Sequence, residues 1–210
     1  MISIVIVDDH TVVRRGISQI LSDNDDMQVV GEAANAGDMM QVLRTRACDV
    51  LVLDISMPGK NGLDALKSVH KEWPRLQVLM LSMYPEDQFA MRAFRAGAAG
   101  YLTKHSPPEK VVEAVRRLAS GKKFITPEVA ESMAAILDVN PDLAPHELLS
   151  DREFQTMQHI AGGKTLSEIA ALLSISPKTV SVYRARLLEK MKLKNNSELI
   201  HYAMKAGLAD

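Results

Sequence analysis

Five polar residues stand where apolar runs end. Asp8 and Asp9 follow the run Ile2 to Val7, Asp54 follows Val50 to Leu53, Ser82 closes Val78 to Leu81, and Lys104 comes just after Tyr101 and Leu102. Carboxylates gathered in one place repel and raise one another's pKa unless a counter-charge is present. A hard divalent cation with oxygen ligands, such as Mg²⁺, supplies that charge. A metal, a hydroxyl and a lysine can together stabilise the equatorial oxygens of an in-line phosphoryl transfer. One carboxylate of the set could then be the nucleophile. Each piece alone is weak. An Asp-Asp pair is commonly a strand-end turn or helix cap, and Asp54 ahead of Ser56, Pro58 and Gly59 also reads as a turn. The ordered set is far more specific.

The chemistry needs elements that bring these ends together. Short runs rich in Val, Ile and Leu lie at 2–7, 28–31, 49–54, 77–82 and 99–103. Between them apolar residues recur at helical spacing: Val13, Ile17, Ile20 and Leu21; Met39, Val42 and Leu43; Phe89, Ala93 and Phe94. Unbroken apolar strands imply burial on both faces, and strand–helix alternation implies a parallel sheet. The expectation is an α/β domain with a five-stranded parallel, doubly wound, flavodoxin-like sheet. Ligands in that architecture sit at the carboxyl ends of the strands, where the five polar residues fall.

The chain has 210 residues, enough for one ordinary domain and a small one. Apolar residues make up 47% and charged residues 24%, as in a globular rather than a disordered chain. No apolar run approaches the ~20 residues needed to cross a bilayer, and the N-terminus lacks a signal-peptide pattern. We expect a cytoplasmic protein with no membrane partner. Cys48 is the only cysteine, which excludes an intrachain disulfide and a Cys-based zinc site.

The predicted organisation is a first domain over 1–120, a linker with a short helix over 121–146, and a second domain over 147–210. Thr126 and Pro127 read as N-cap and first residue of the linker helix, with Val129, Met133, Ile136 and Leu137 on one face. Asn140, Pro141 and Pro145 then stop it and extend the chain. Beyond that point the pattern predicts a separate all-α domain of four helices. Ser150 with Glu153, and Thr165 with Glu168, have capping-box spacing. Gly162 and Gly163 end the first helix. Ser176 and Pro177 begin the third, Pro177–Lys192, and Asn196 and Ser197 begin the fourth. Two short helices, a turn at Leu173 to Ser176 and a longer helix make the layout of a helix-turn-helix.

Net charge is −1 overall, but residues 178–194 hold six Lys or Arg against Glu189 alone. A basic stretch on a near-neutral chain points to a polyanion partner for one domain; the alternative is a solvated helix face. Val180, Leu187, Leu188 and Met191 form an inward apolar stripe, which leaves Ser181, Val182, Arg184, Ala185 and Arg186 mostly on other faces.

Val7-Asp8-Asp9-His10, Leu53-Asp54-Ile55-Ser56-Met57-Pro58, Leu81-Ser82 and Tyr101-Leu102-Thr103-Lys104 resemble the receiver domain of a bacterial two-component response regulator. Leu149 to Glu153, Ile169-Ala170, Ser176 to Val180 and Lys190-Met191 resemble a LuxR-type helix-turn-helix. Together they resemble a regulator of the NarL/FixJ type across nearly the whole chain, and within it the GacA/UvrY/BvgA-like branch.

The resemblance implies a set of roles. Asp54 matches the phosphoacceptor. Asp8 and Asp9 match the acidic pair that holds Mg²⁺, with Asp9 as the direct ligand, and the Ser56 carbonyl matches a further metal oxygen. Ser82 and Tyr101 match the switch hydroxyl and switch aromatic, and Lys104 the lysine that contacts the phosphoryl group. His10 beside this oxygen-rich site reads as structural. A sensor histidine kinase would phosphorylate Asp54, Ser82 would follow the phosphoryl group, and Tyr101 would swing inward. Tyr84 and Ser56 would flank the path of a hydrolytic water, and Met83 would restrict access to the phosphoryl group. The activated homodimer would bind double-stranded DNA, with RNA polymerase a further partner. Ser181, Val182 and Ala185 occupy base-facing positions. Lys178, Thr179, Tyr183, Arg184, Arg186, Lys190 and Lys194 are the candidate backbone contacts.

Two other classes compete. Aspartate-nucleophile phosphatases of the haloacid dehalogenase type need a second carboxylate two residues after the nucleophile. Ser56 stands there, so no turnover of external substrates is expected, only self-phosphorylation from a phosphodonor and slow self-dephosphorylation. An interaction adaptor with a vestigial DNA domain conflicts with the intact basic helix.

Overall fold

The computed structural model describes residues 1–57, 61–131 and 144–208. The chain forms two compact units, Met1–Leu137 and Asp138–Asp210. The first alternates β1 (Ile2–Val7), α1 (Thr11–Ser22), β2 (Met27–Ala33), α2 (Ala36–Thr45), β3 (Val50–Leu53), α3 (Gly62–Glu72), β4 (Gln77–Ser82), α4 (Glu86–Arg95), β5 (Gly100–Thr103) and α5 (Pro108–Ala119). All strand pairs are parallel, in the order β2-β1-β3-β4-β5. This is the five-stranded doubly wound sheet expected from the sequence, in the flavodoxin-like order.

The two central strands explain why the pattern was readable. Ile4 to Val7 and Val50 to Leu53 are all buried, at 1% exposure or less. Ile4, Ile6, Val50, Val52, Leu79 and Leu81 pack with Ile17 and Leu21 of α1 and Val115 and Leu118 of α5. Each such apolar side chain contributes about 1.5–3 kcal/mol by leaving water. Val7 pairs in register with Leu53, so the next residues, Asp8 and Asp54, emerge side by side at the sheet's carboxyl edge.

Part of the predicted linker belongs to the first unit. Phe124 is buried, forms a parallel bridge with Gly100, and donates its N–H to the Ala99 carbonyl at 2.9 Å. The Thr126 hydroxyl donates to the Glu86 carboxylate, and Val129 is buried. Residues 127–131 are helical, as expected. Met133, Ile136, Leu137, Asn140 and Pro141 lie outside the described residues. Pro145 does not extend the chain: it opens a 3₁₀ turn, Pro145–Leu148, where its fixed φ suits the first helical position.

The second unit carries four α-helices among the described residues: α6 (Asp151–Ala161), α7 (Leu166–Leu172), α8 (Pro177–Lys190) and α9 (Asn196–Lys205). Both capping boxes are formed. Gly163 takes φ +76° after α6, and Ser174 takes φ +52° in the turn between α7 and α8. The basic helix stops at Lys190, two residues before the expected end at Lys192, which turns left-handed at φ +57°. The N-cap of α9 is Asn195, whose side chain accepts from the Glu198 N–H at 3.0 Å.

Candidate functional site

Asp8 and Asp54 are 2% and 1% exposed, and Lys104 reaches between them. Its Nζ lies 2.6 Å from Asp8 Oδ2 and 2.8 Å from Asp54 Oδ2. Two buried carboxylates thus share one ammonium. Burial pushes the Asp54 carboxyl above its ordinary value, Lys104 pulls against this, and the Asp8 charge adds to it. Burial works to lower the Lys104 ammonium, but the Asp54 and Asp8 carboxylates outweigh it and the net direction is upward. The lysine stays charged, and Asp54 is less solvated than a surface carboxylate.

The pocket is built by backbone as much as by side chains. Asp54 Oδ1 accepts from the Ser56 N–H at 3.2 Å, and Asp8 Oδ1 accepts from the His10 N–H at 2.8 Å. Lys104 N–H donates to the Ser82 carbonyl at 2.7 Å, which fixes the end of β5 against β4. Gly62, the first residue of α3, lies so close to the Asp54 carbonyl that a Cβ would meet that oxygen at 2.0 Å. Buried Asn61 caps the same helix through its side chain. Neither residue was singled out from the sequence.

Asp8, Asp9, His10 and Asp54 can each offer a ligand atom with all four within 4.8 Å of one another. Asp9 Oδ1 is buried and takes no hydrogen bond, although His10 Nδ1 stands 2.9 Å away. An acidic donor set with one unsatisfied buried oxygen fits a hard divalent cation. The His10 side chain is mostly exposed, so the oxygen donors dominate the enclosed part of the site.

Ser82 is fully buried beside this pocket, and its Oγ accepts from the Tyr84 N–H at 3.2 Å. Met83 is exposed. The Tyr101 ring lies inside, 1% exposed, and its hydroxyl donates to the Tyr84 carbonyl at 2.8 Å. Burial raises its pKa, so it stays a donor.

On α8, Val180, Leu187 and Leu188 are buried, as is Met191 just beyond it. Lys178, Ser181, Val182, Ala185, Arg186 and Lys194 are exposed, while Thr179, Tyr183 and Arg184 are half-buried. Two of the predicted backbone contacts have partners within the unit. Arg184 Nε donates to Asn196 Oδ1 at 2.6 Å, which ties α8 to α9. Lys190 Nζ lies 2.6 Å from Glu153 Oε2 on α6. Glu153 is 3% exposed, and a carboxylate so enclosed needs a counter-charge. Lys178, Arg186 and Lys194 form no ion pair among the described residues.

Residues 4–116 match the response regulator receiver domain, and residues 147–203 match the bacterial regulatory proteins of the luxR family. The chain is 39% identical to the response regulator UvrY of Escherichia coli over 212 aligned residues, covering 100% of this chain and 97% of that protein. It is 36% identical to the response regulator GacA of Pseudomonas syringae, covering 100% and 99%. Among solved structures, RcsB of Salmonella enterica serovar Typhimurium, bound to the promoter rprA with a beryllofluoride phosphomimetic, aligns with a TM-score of 0.65 at 25% identity, covering 96% of this chain and 98% of that one. These matches run through both units in one order. The chain belongs to the two-component response regulators of the NarL/FixJ type, which join a receiver domain to a LuxR-type helix-turn-helix DNA-binding domain and regulate transcription.

Proposed function

We propose that Asp54 accepts a phosphoryl group from a sensor histidine kinase, and that this controls dimerisation and sequence-specific DNA binding. The observation that carries the reading is the Lys104 ammonium held between Asp54 and Asp8, 2.8 Å and 2.6 Å away. An Asp54 oxygen attacks the phosphorus of the phosphohistidine in line as the N–P bond breaks. Lys104 moves from its carboxylate partner to a phosphoryl oxygen and holds the charge there. The carboxylates of Asp8, Asp9 and Asp54 and the Ser56 carbonyl are the residues that would hold Mg²⁺, which when bound neutralises phosphoryl oxygens.

Ser82 then turns its hydroxyl to the phosphoryl group and releases the Tyr84 amide. Tyr84 also accepts the Tyr101 hydroxyl, so the β4–α4 loop and β5 respond together. Two packings a few kcal/mol apart suffice for such a switch. The active homodimer presents α8 to double-stranded DNA. Lys178, Arg186 and Lys194 lead on the phosphates, while Ser181, Val182 and Ala185 face the bases. Few strong hydrogen bonds are available there, so DNA shape and dimer spacing add specificity. A cytoplasmic setting, contact with RNA polymerase and slow self-dephosphorylation belong to the same reading. Among the described residues, no helix is long and apolar enough to cross a membrane.

Sedimentation of the full chain with and without Mg²⁺ and beryllofluoride tests the proposal, with Asp54→Asn alongside. A monomer-to-dimer shift in the wild type alone is expected. No shift in either would remove the receiver from control of assembly and favour constitutive DNA binding.

A further inference from the structure

We infer that Arg14 and Glu32 form a clamp that positions the acidic pair for its cation. The inference rests on the reading of Asp8 and Asp9 as metal ligands. Arg14 sits on the first turn of α1 with its side chain 15% exposed. Its Nη1 donates to the Asp8 carbonyl oxygen at 2.6 Å, and its Nε donates to Glu32 Oε2 at 3.1 Å. Glu32 lies on β2, in register with Ile6 of β1.

The oxygen that Arg14 holds belongs to the peptide joining Asp8 to Asp9. The other side of Asp8 is fixed too, because its N–H donates to the Ala33 carbonyl at 3.2 Å. The orientation of the Asp8–Asp9 peptide sets where the Asp9 side chain leaves the backbone. Asp9 is less firmly aimed: its buried Oδ1 takes no hydrogen bond and faces the mostly exposed His10 imidazole at 2.9 Å. Asp8, by contrast, is aimed by the His10 N–H and by Lys104. The clamp therefore acts on the member of the pair with the weaker restraint.

Arginine suits the task because its planar fork reaches two acceptors at fixed geometry, whereas lysine is a single flexible point donor. Glu32 keeps the guanidinium from turning toward the pocket, where a second cation would compete with the metal. Arg14 holds the Asp8 carbonyl and the Glu32 carboxylate rather than the side chains of the acidic pair, so it is a positioning residue. Outer partners of metal ligands are commonly worth about 10–100-fold in metal affinity.

The test measures Mg²⁺ binding to the full chain by calorimetry, and the Mg²⁺ dependence of Asp54 phosphorylation by acetyl phosphate. Arg14→Ala, Arg14→Lys and Glu32→Gln are compared with wild type, and Arg116→Ala serves as a surface ion-pair control. The expected result is a Kd for Mg²⁺ about tenfold or more weaker in both Arg14 variants. The half-saturating Mg²⁺ for phosphorylation should rise in step, with the rate at saturating Mg²⁺ within about threefold of wild type. Glu32→Gln should fall between, and Arg116→Ala should match wild type. Circular dichroism identifies any variant that fails to fold, and Glu32→Gln then carries the comparison. Unchanged Mg²⁺ affinity in folded Arg14 and Glu32 variants overturns the clamp while leaving the metal site standing. No Mg²⁺ binding in the wild type overturns both.

Discussion

The Tyr101 hydroxyl donates to the Tyr84 carbonyl at 2.8 Å, from a ring that is 1% exposed. The bond ties β5 to the loop after Ser82, and Tyr84 stacks on Phe89 of α4 with ring centroids 4.3 Å apart. A buried hydroxyl with one good acceptor resists turning outward, since the Tyr84 carbonyl would lose its donor. The inward packing of the ring is held by this bond. This makes the switch a matter of population rather than of creating a new pocket.

Tyr101→Phe separates ring from hydroxyl. The ring still fills the interior, and the loss is the bond to the Tyr84 carbonyl, about 1 kcal/mol, together with the hydroxyl's interaction with Ser82. Phosphorylation of Asp54 should keep its rate, because the hydroxyl donates to the Tyr84 carbonyl and Lys104 still holds both carboxylates. Dimerisation on addition of beryllofluoride should weaken by up to about tenfold, read by sedimentation across a concentration series. An unchanged dimer constant would show that the Tyr84 bond does not bias the switch.

Gly62→Ala should damage the pocket without removing any charged group. A Cβ there meets the Asp54 carbonyl oxygen at 2.0 Å and the Ile55 Cα at 2.7 Å, both backbone atoms that cannot turn aside. Relief requires α3 to move off the end of β3. The expected cost is about 1–3 kcal/mol of stability, as for overpacking in a core, together with slower phosphorylation. Thermal unfolding and a phosphorylation time course check both. Retained stability would mean that α3 shifts freely.

Glu153 predicts an acid dependence for the second unit. Burial works to raise its carboxyl, but Lys190 and the Ser150 amide outweigh it, so the pKa in the folded chain lies below the ordinary value. A depressed carboxyl stabilises the fold above its unfolded pKa, and that contribution is lost as pH falls through the folded value. Stability should therefore decline from near pH 4.5 downward. Lys190 is 42% exposed, so screening limits the pair to about 1 kcal/mol. Glu153→Gln should lower the unfolding temperature at neutral pH and flatten its fall in acid. An unaltered acid limb would place the titration elsewhere.

Relationships between residues near in sequence, or at the ends of uniform runs, are legible in the sequence itself. Val50 to Leu53 is buried on both sides, so its composition announced a central strand and located Asp54. Ser150 with Glu153 was legible because a capping box closes within one turn. Relationships across long separations carried no such mark. Nothing in the sequence near Lys190 points to Glu153, 37 residues away, so a basic residue inside a basic stretch read as a DNA contact. Phe124 read as linker because a single bridge to Gly100 has no alternating pattern. Gly62 carries no mark in the sequence, since its requirement comes from the Asp54 backbone. Arg14 could have been suspected from its place one turn into the helix after the acidic pair, but its acceptors lie just past β1 and on β2.

The same contrast yields a prediction about DNA binding that charge counting does not make. By charge alone, Lys178, Arg184, Arg186, Lys190 and Lys194 are equivalent phosphate contacts. The structure divides them. Arg184 is engaged by Asn196 and Lys190 by Glu153, whereas Lys178, Arg186 and Lys194 are exposed. A cation released from an internal partner must leave that partner unsatisfied, which costs most at Glu153 because it is buried. Arg186→Ala should therefore weaken binding on all sequences alike and reduce the salt slope by about 1. Lys190→Ala should leave the slope nearly unchanged and lower the unfolding temperature of the unit. Measuring DNA affinity over a range of salt for the two variants, on a selected operator and on unrelated DNA, distinguishes the roles. Equal loss of slope in both would mean that Lys190 leaves Glu153 when it meets a phosphate.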